Sequence, residues 1–392
     1  MCSERHATRA GRRLAALLAC IAGLAGCNTT HAAPYEPRSD DTVLETLPAG
    51  ARRVRSVAPD DLAGAAAQAA SYIEMARTSG DPRYLGYAQA ALGPWWQAQR
   101  PPTLAALLRA QIRQHNHAFP AALEDLAFVL ASEPRNAQAR LMRSAIHQVQ
   151  GDYAAAETDC RSITLLAPPL TTADCLSRIA SHRGQARATY ERLKALRDRS
   201  NDADPRQLHE IDLTLADIAA RLGDAAAARS HYANALRSID AFTLATFADF
   251  LLDERRFDDV LDLAQRYPAY QDLSLRAALA ARAANSPDSR ALQDRVRAQY
   301  AAYRQRGDFV PTRDYARYLL EIESDAPAAL QAALSNWRTQ REPGDARIVL
   351  RAALAANEPQ AATDVVAFIE RNALEDPLLA DCIARLRRKG PS

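Results

Sequence analysis

From Asp60 onward the chain is a succession of stretches whose apolar residues fall at helical spacing, separated by short polar turns. Residues 137 to 150 form one such stretch, Gly151-Asp152 breaks it, residues 153 to 166 form the next, and Pro168 closes it. That is a helix hairpin. The same reading pairs 60 to 78 with 82 to 97 across Ser79-Gly80-Asp81-Pro82, 171 to 183 with 185 to 198 near Gly184, and 206 to 221 with 224 to 237 at Gly223-Asp224. It continues with 241 to 254 and 257 to 266, 270 to 284 and 287 to 305, 311 to 322 and 325 to 340, 344 to 357 and 359 to 372, and a last helix from 377 to 388. No run alternates Val, Ile and aromatic residues as a strand does, so the predicted class is all-α.

Two hairpins repeat each other at an offset of 34 residues. Arg109 recurs as Arg143, Ala110 as Ser144, Phe119 as Tyr153, Ala122 as Ala156, Asp125 as Asp159 and Pro134 as Pro168. Small residues on both helices permit close approach, and the aromatics fill the bend. A single hairpin cannot bury its apolar face alone, so neighbours must stack. This register resembles the tetratricopeptide repeat (TPR), most clearly over 103–136 and 137–170. Ala216, Ala228 and Tyr232 fit the same register in a later unit, and Pro343 and Pro377 are again 34 apart. The resemblance implies a TPR-like α-solenoid over residues 60–388, with a short tail at 389–392.

It also implies roles for particular residues. The arginine and aspartate recurring 16 positions apart are similar to a TPR subtype in which Arg109 pairs with Asp125, and Arg143 with Asp159, between the two helices of each hairpin. The alternative is a pair of arginines that grip an anionic ligand; a desolvated arginine pair lacking counter-charges would be costly. In a TPR stack the first helices line the concave face, which nominates Leu107, Gln111, Gln114, Leu141 and Gln148 as a partner-binding groove. This lining lacks the Lys and Asn set that resembles a carboxylate clamp, so an internal protein segment is the expected occupant. The alternative is that these side chains pack within their hairpins. Cys160 and Cys175 fall on faces that touch in such a stack, where they either form a disulfide or pack as small buried residues.

The start of the chain suggests an address. Arg5, Arg9, Arg12 and Arg13 precede the apolar run Leu14 to Ala25, which is short for a membrane span and suited to an export signal. The run ends in Leu24-Ala25-Gly26-Cys27, which resembles a bacterial lipobox. The resemblance implies a signal peptide of residues 1–26, acylation at Cys27 and, with Asn28 following, sorting to the outer membrane. Residues 27–59 contain Pro34, Pro37, Pro48 and Pro59 and read as a flexible tether. The run Thr42 to Leu47 either stays in that tether or docks on the solenoid. About 30 flexible residues reach roughly 30 Å root-mean-square.

Charge and chemistry narrow the picture. Removal of the signal takes four arginines from 49 basic residues and Glu4 from 47 acidic ones, leaving a net charge of about −1. That balance gives no nucleic-acid footprint. His209-Glu210 lacks the second histidine of a zinc helix, and no phosphate loop, nucleophile elbow or Cys-x-x-Cys occurs. His115, His117 and His147 form the nearest approach to a metal cluster but read as turn histidines, so no metal or cofactor is expected. Trp95-Trp96 reads as a wedge between hairpins, the alternative being an exposed aromatic platform.

The expected function is therefore non-enzymatic: a lipid-anchored, periplasm-facing scaffold that binds another envelope protein. An adaptor in pilus, secretion or outer-membrane assembly is the neighbouring alternative. A metal-dependent envelope hydrolase using the histidines and a small-solute receptor are the alternatives of other classes.

Overall fold

The computed structural model describes residues 60–200, 202–306 and 312–389. The signal of residues 1–26, Cys27, the tether to residue 59 and the tail beyond Lys389 lie outside the described residues. Within them all regular structure is helical. The elements are α1 (Leu62–Ser79), α2 (Arg83–Ala91), α3 (Gly93–Trp96), α4 (Thr103–His115), α5 (Phe119–Ser132), α6 (Ala137–Val149), α7 (Tyr153–Ser162), α8 (Pro169–Ser181), α9 (Ala186–Asp198) and α10 (Pro205–Arg221). They continue with α11 (Ala225–Ala235), α12 (Ala241–Asp253), α13 (Phe257–Arg266), α14 (Asp272–Ala283), α15 (Ser289–Arg306), α16 (Thr312–Glu321), α17 (Ala326–Trp337), α18 (Pro343–Ala356), α19 (Thr363–Arg371) and α20 (Pro377–Lys389).

Local chemistry starts and stops these helices. The side chains of Asn136, Asp152, Asp224 and Asp325 accept hydrogen bonds from backbone N–H groups three residues on, at 2.9, 3.1, 3.0 and 3.0 Å. Each satisfies a donor that the helix start leaves open. Gly151 makes the bend before α7 at φ +75°, a conformation that costs a side-chain-bearing residue energy. The expected helix over 82 to 97 is interrupted after Ala91 because Pro94 offers no backbone N–H, and the chain restarts as α3. The stretch after Glu358 begins as a 3-10 turn over Pro359–Ala362 before α19.

The small positions of the 34-residue register are where helices meet. Ala110, Ala122, Ser144, Ala156 and Ala228 have no exposed surface. Phe119 and Tyr153, first residues of α5 and α7, are 3% exposed and fill the bends. The Cys160–Cys175 disulfide joins α7 to α8, with Cα atoms 5.7 Å apart.

The stack does not remain a line of neighbours. One continuous core holds Tyr153, Cys160 and Ile179 together with Trp337, Val349, Phe368 and Leu379. The C-terminal helices thus lie against the bends of the second and third units. Arg341 N–H donates to the Val149 carbonyl at 2.6 Å, and Ala186 N–H to Glu375 Oε2 at 2.8 Å. Phe368 meets Tyr153 with ring centroids 6.2 Å apart and Trp337 at 5.2 Å. A second closure joins α1 to α12, where Arg77 Nη1 pairs with Asp240 Oδ2 at 2.5 Å. Hairpins thus meet across the chain as well as between neighbours, because Trp337 and Phe368 from the C-terminal helices pack with Tyr153 in one core.

Candidate functional site: a charged central cleft

The recurring arginines sit between the helices of their hairpins. Arg109 Nη2 and Nε reach the Asp125 carboxylate at 2.6 and 3.0 Å. Its Nη1 donates to the carbonyls of Trp95, Trp96 and Ala98 at 3.1, 2.7 and 2.9 Å. The guanidinium therefore ties the end of the first hairpin to the second, with both charge and donors satisfied. Arg143 Nε and Nη2 each lie 2.7 Å from Asp159, and this hydrogen bonding raises the arginine's already high pKa. Arg113 and Arg140 add second partners to Asp125 and Asp159 at 2.8 and 3.3 Å. Arg113 also lies over the Trp96 ring, 5.6 Å from its centroid.

The nominated groove residues are distributed differently from the expectation. Leu107 is 8% exposed and belongs to a core with Ala110, Phe119, Ala139 and Ile146, so it packs between α4 and α6. Leu141 is half-buried against the core that includes the C-terminal helices. Gln111 and Gln114 are half-buried, and Gln148 Nε2 donates to Ser144 Oγ at 3.1 Å. A charged cleft opens further along the chain.

There a cleft of about 360 Å³ runs between α10 and α12 on one side and α16, α18 and α20 on the other. Asp217, Arg221, Asp249 and Asp253 face Arg313, Arg317, Arg347 and Leu378 across it. Arg317 Nη1 reaches Asp249 Oδ1 at 2.6 Å, and Arg347 Nη1 reaches Asp253 Oδ2 at 2.6 Å. Behind this wall Arg276, 3% exposed, holds both Asp249 and Asp314. Burial opposes ionisation of Asp249, yet Arg276 and Arg317 hold its carboxyl well below the usual range.

Beside the cleft, next to its lining residues Arg313, Pro343 and Arg221, are further titratable groups. Glu342 caps α18 in a reciprocal arrangement with Asp345, which in turn accepts from Asn336 Nδ2 at 2.8 Å. Arg313 lies 3.5 Å from Glu342 and 3.9 Å from Asp345. Crowding by the surrounding helices, and then the neighbouring Asp345 charge, push the Glu342 carboxyl upward, while its side chain keeps 42% of its surface exposed and so some solvent screening. His182 is driven down to about 3, first by burial and then by Arg221, so it is neutral at physiological pH. The cleft therefore presents solvent-accessible arginines and carboxylates already paired across its walls.

Sequence reasoning missed this network. A signal was present in Arg276, a lone charge within the otherwise apolar run Leu275 to Ala281, every residue of which is buried. Among the described residues no group of three or more His, Cys, Asp or Glu is placed to hold a metal ion, and His115, His117 and His147 form no such group.

The class these features define is an all-α array of stacked helix hairpins with a charged cleft between them. No protein-family model and no curated protein matches the chain. Among solved structures, the chain is similar to the TPR domain of P58(IPK), at 14% sequence identity and a TM-score of 0.23. That similarity covers 78% of this chain and 93% of the other.

Proposed function

We propose that the chain is a TPR-type scaffold, anchored by an acylated Cys27 in the bacterial envelope and facing the periplasm, that binds a segment of another envelope protein. An adaptor role in pilus, secretion or outer-membrane assembly is one form of this reading. The observation that carries it is the central cleft, where helices from separated hairpins present opposed arginines and carboxylates around an accessible space. The supporting pattern is the 34-residue register, whose resemblance is to a protein-binding repeat. An incoming segment of mixed charge can replace the cross-cleft pairs without leaving a charge unpaired. The binding surface assigned to the protein therefore moves from the first helices of the early repeats to this later cleft.

A photo-crosslinking residue at Leu378, 42% exposed on the cleft wall, is expected to capture a discrete partner in intact cells. One at Leu165, 92% exposed and not part of the cleft lining, is not. Capture from Leu165 alone sinks the cleft assignment. The Cys27→Ala variant should lose the lipid mass shift and lipoprotein-type processing; wild-type processing would refute the anchor.

A further inference from the structure

The connection between α7 and α8 turns apolar residues outward. In the run Thr164-Leu165-Leu166-Ala167-Pro168-Pro169, Leu165 is 92% exposed, Pro168 and Pro169 are exposed, and Leu166 and Ala167 are half-buried. The base of this loop is fixed. Ile163 and Leu170 on either side are buried, and the Cys160–Cys175 disulfide brackets the whole segment. Its backbone donors are largely satisfied from within. Thr164 N–H donates to the Arg161 carbonyl at 3.3 Å, and the N–H groups of Leu166 and Ala167 donate to the Ile163 carbonyl at 2.8 and 3.0 Å. The Thr164 hydroxyl also donates to the Arg161 carbonyl, at 2.8 Å, and the two prolines have no N–H. Such a tip can leave water without stranding those donors.

The surround is basic. A shallow depression beside Leu165 is lined by Pro134, Arg135, Arg140 and Arg161, and no carboxylate lies in that lining among the described residues. The carboxylates behind it are outnumbered: Arg140 and Arg143 share Asp159, and Arg161 and Arg183 share Glu157. Glu133, next to Pro134, is engaged by Thr103 and Asn136. Arg135, Arg140, Arg143, Arg161 and Arg183 therefore stand against Glu133, Glu157 and Asp159, an excess of two positive charges.

We propose that this loop and its arginine rim dock on the surface of a bilayer that contains anionic phospholipid. Leu165 and the prolines enter the boundary between headgroups and acyl chains, and the arginines meet lipid phosphates. A protruding apolar tip offers a protein partner no pocket, whereas a lipid surface closes around it. The assignment rests on neither the cleft nor the Cys27 anchor. An anchor would bring the chain to any bilayer, so the test reads the depth of this one loop.

The purified full chain carrying Leu165→Trp is mixed with vesicles of phosphatidylcholine that has brominated acyl chains, with and without phosphatidylglycerol. Its fluorescence beyond that of the unsubstituted chain should shift to the blue and be quenched on the phosphatidylglycerol vesicles, and about 0.5 M salt should reverse this by screening. Adding Arg135→Glu with Arg161→Glu, both exposed positions, should weaken the response about tenfold with the helical spectrum unchanged. Phe242→Trp, at a 59% exposed position on α12, should show no such quenching. The proposal is overturned by absence of quenching at Leu165→Trp, by equal quenching at Phe242→Trp or without phosphatidylglycerol, or by indifference to the charge reversals. Photo-crosslinking from position 165 that captures a discrete protein in intact cells would also overturn it, by assigning the loop to a protein partner.

Discussion

Arg276→Met should detach α14 from its neighbours, and the cost can be worked from the bonds lost. The guanidinium donates to Asp249 at 3.1 and 2.8 Å, to Asp314 at 2.5 and 3.2 Å, and to the Asp272 carbonyl at 3.0 Å. Five contacts match the five donors of arginine. Removing one partner of a buried pair typically costs about 3–5 kcal/mol, because the charge left behind stays desolvated. Arg317 remains 2.6 Å from Asp249 but only 4.0 Å from Asp314, so the stranded charge is chiefly Asp314. The expected loss is therefore near the lower end, about 3 kcal/mol, read from urea unfolding at pH 7. The pH dependence has a definite sign. A carboxyl whose folded pKa is depressed contributes stability above its unfolded value, about 3.9, and loses it as pH falls through the folded value. Because Asp249 is so depressed, the penalty of Arg276→Met should shrink on acidification below about 4. A cycle with Asp314→Asn should show coupling above about 1 kcal/mol. A single-variant loss below about 1 kcal/mol, or strict additivity in the cycle, would refute the reasoning.

Three further outcomes are expected. Gly151→Ala places a Cβ 2.7 Å from the Phe368 ring at φ +75°, whereas Gly223→Ala at φ +76° meets nothing within 4 Å, so the first should lower the melting temperature clearly more; equal losses would remove the closing contact from the account. Glu342, pushed upward, binds a proton in the folded state that the unfolded chain has released, so stability should fall as pH rises above about 4.5, and Glu342→Gln should flatten that slope across melting curves. Non-reducing digestion should release a peptide pair linked through Cys160 and Cys175, and reduction should cost about 3 kcal/mol for a loop of this length; free thiols at both positions in folded protein would contradict the link.

The hairpins were legible because their determinants are local: small residues where helices touch, an aromatic at each bend, and Asn or Asp before the next helix. Arg109 and Asp125 were legible as a pair because both recur one repeat later. Leu107 was misplaced because the concave side of a tightly wound stack is itself an interface, and α4 and α6 meet over it. The contact of Phe368 with Tyr153 had no counterpart in periodicity, since it joins positions more than two hundred residues apart. The Arg276 network was missed for a related reason: its carboxylates come from α12 and α16, on either side of α14 in the chain.

The return of the C-terminal helices onto the early bends removes the freedom that linear arrays have to grow or shrink by whole units. An added hairpin between α9 and α17 would carry Glu375 away from the Ala186 N–H it accepts from, and Phe368 away from Tyr153. Gene duplication within this chain is thereby penalised in a way that it is not for an open array. Unfolding should also lose its segmental character: truncation after α16 exposes the core around Ile179 far upstream, so damage at one end is felt in the middle.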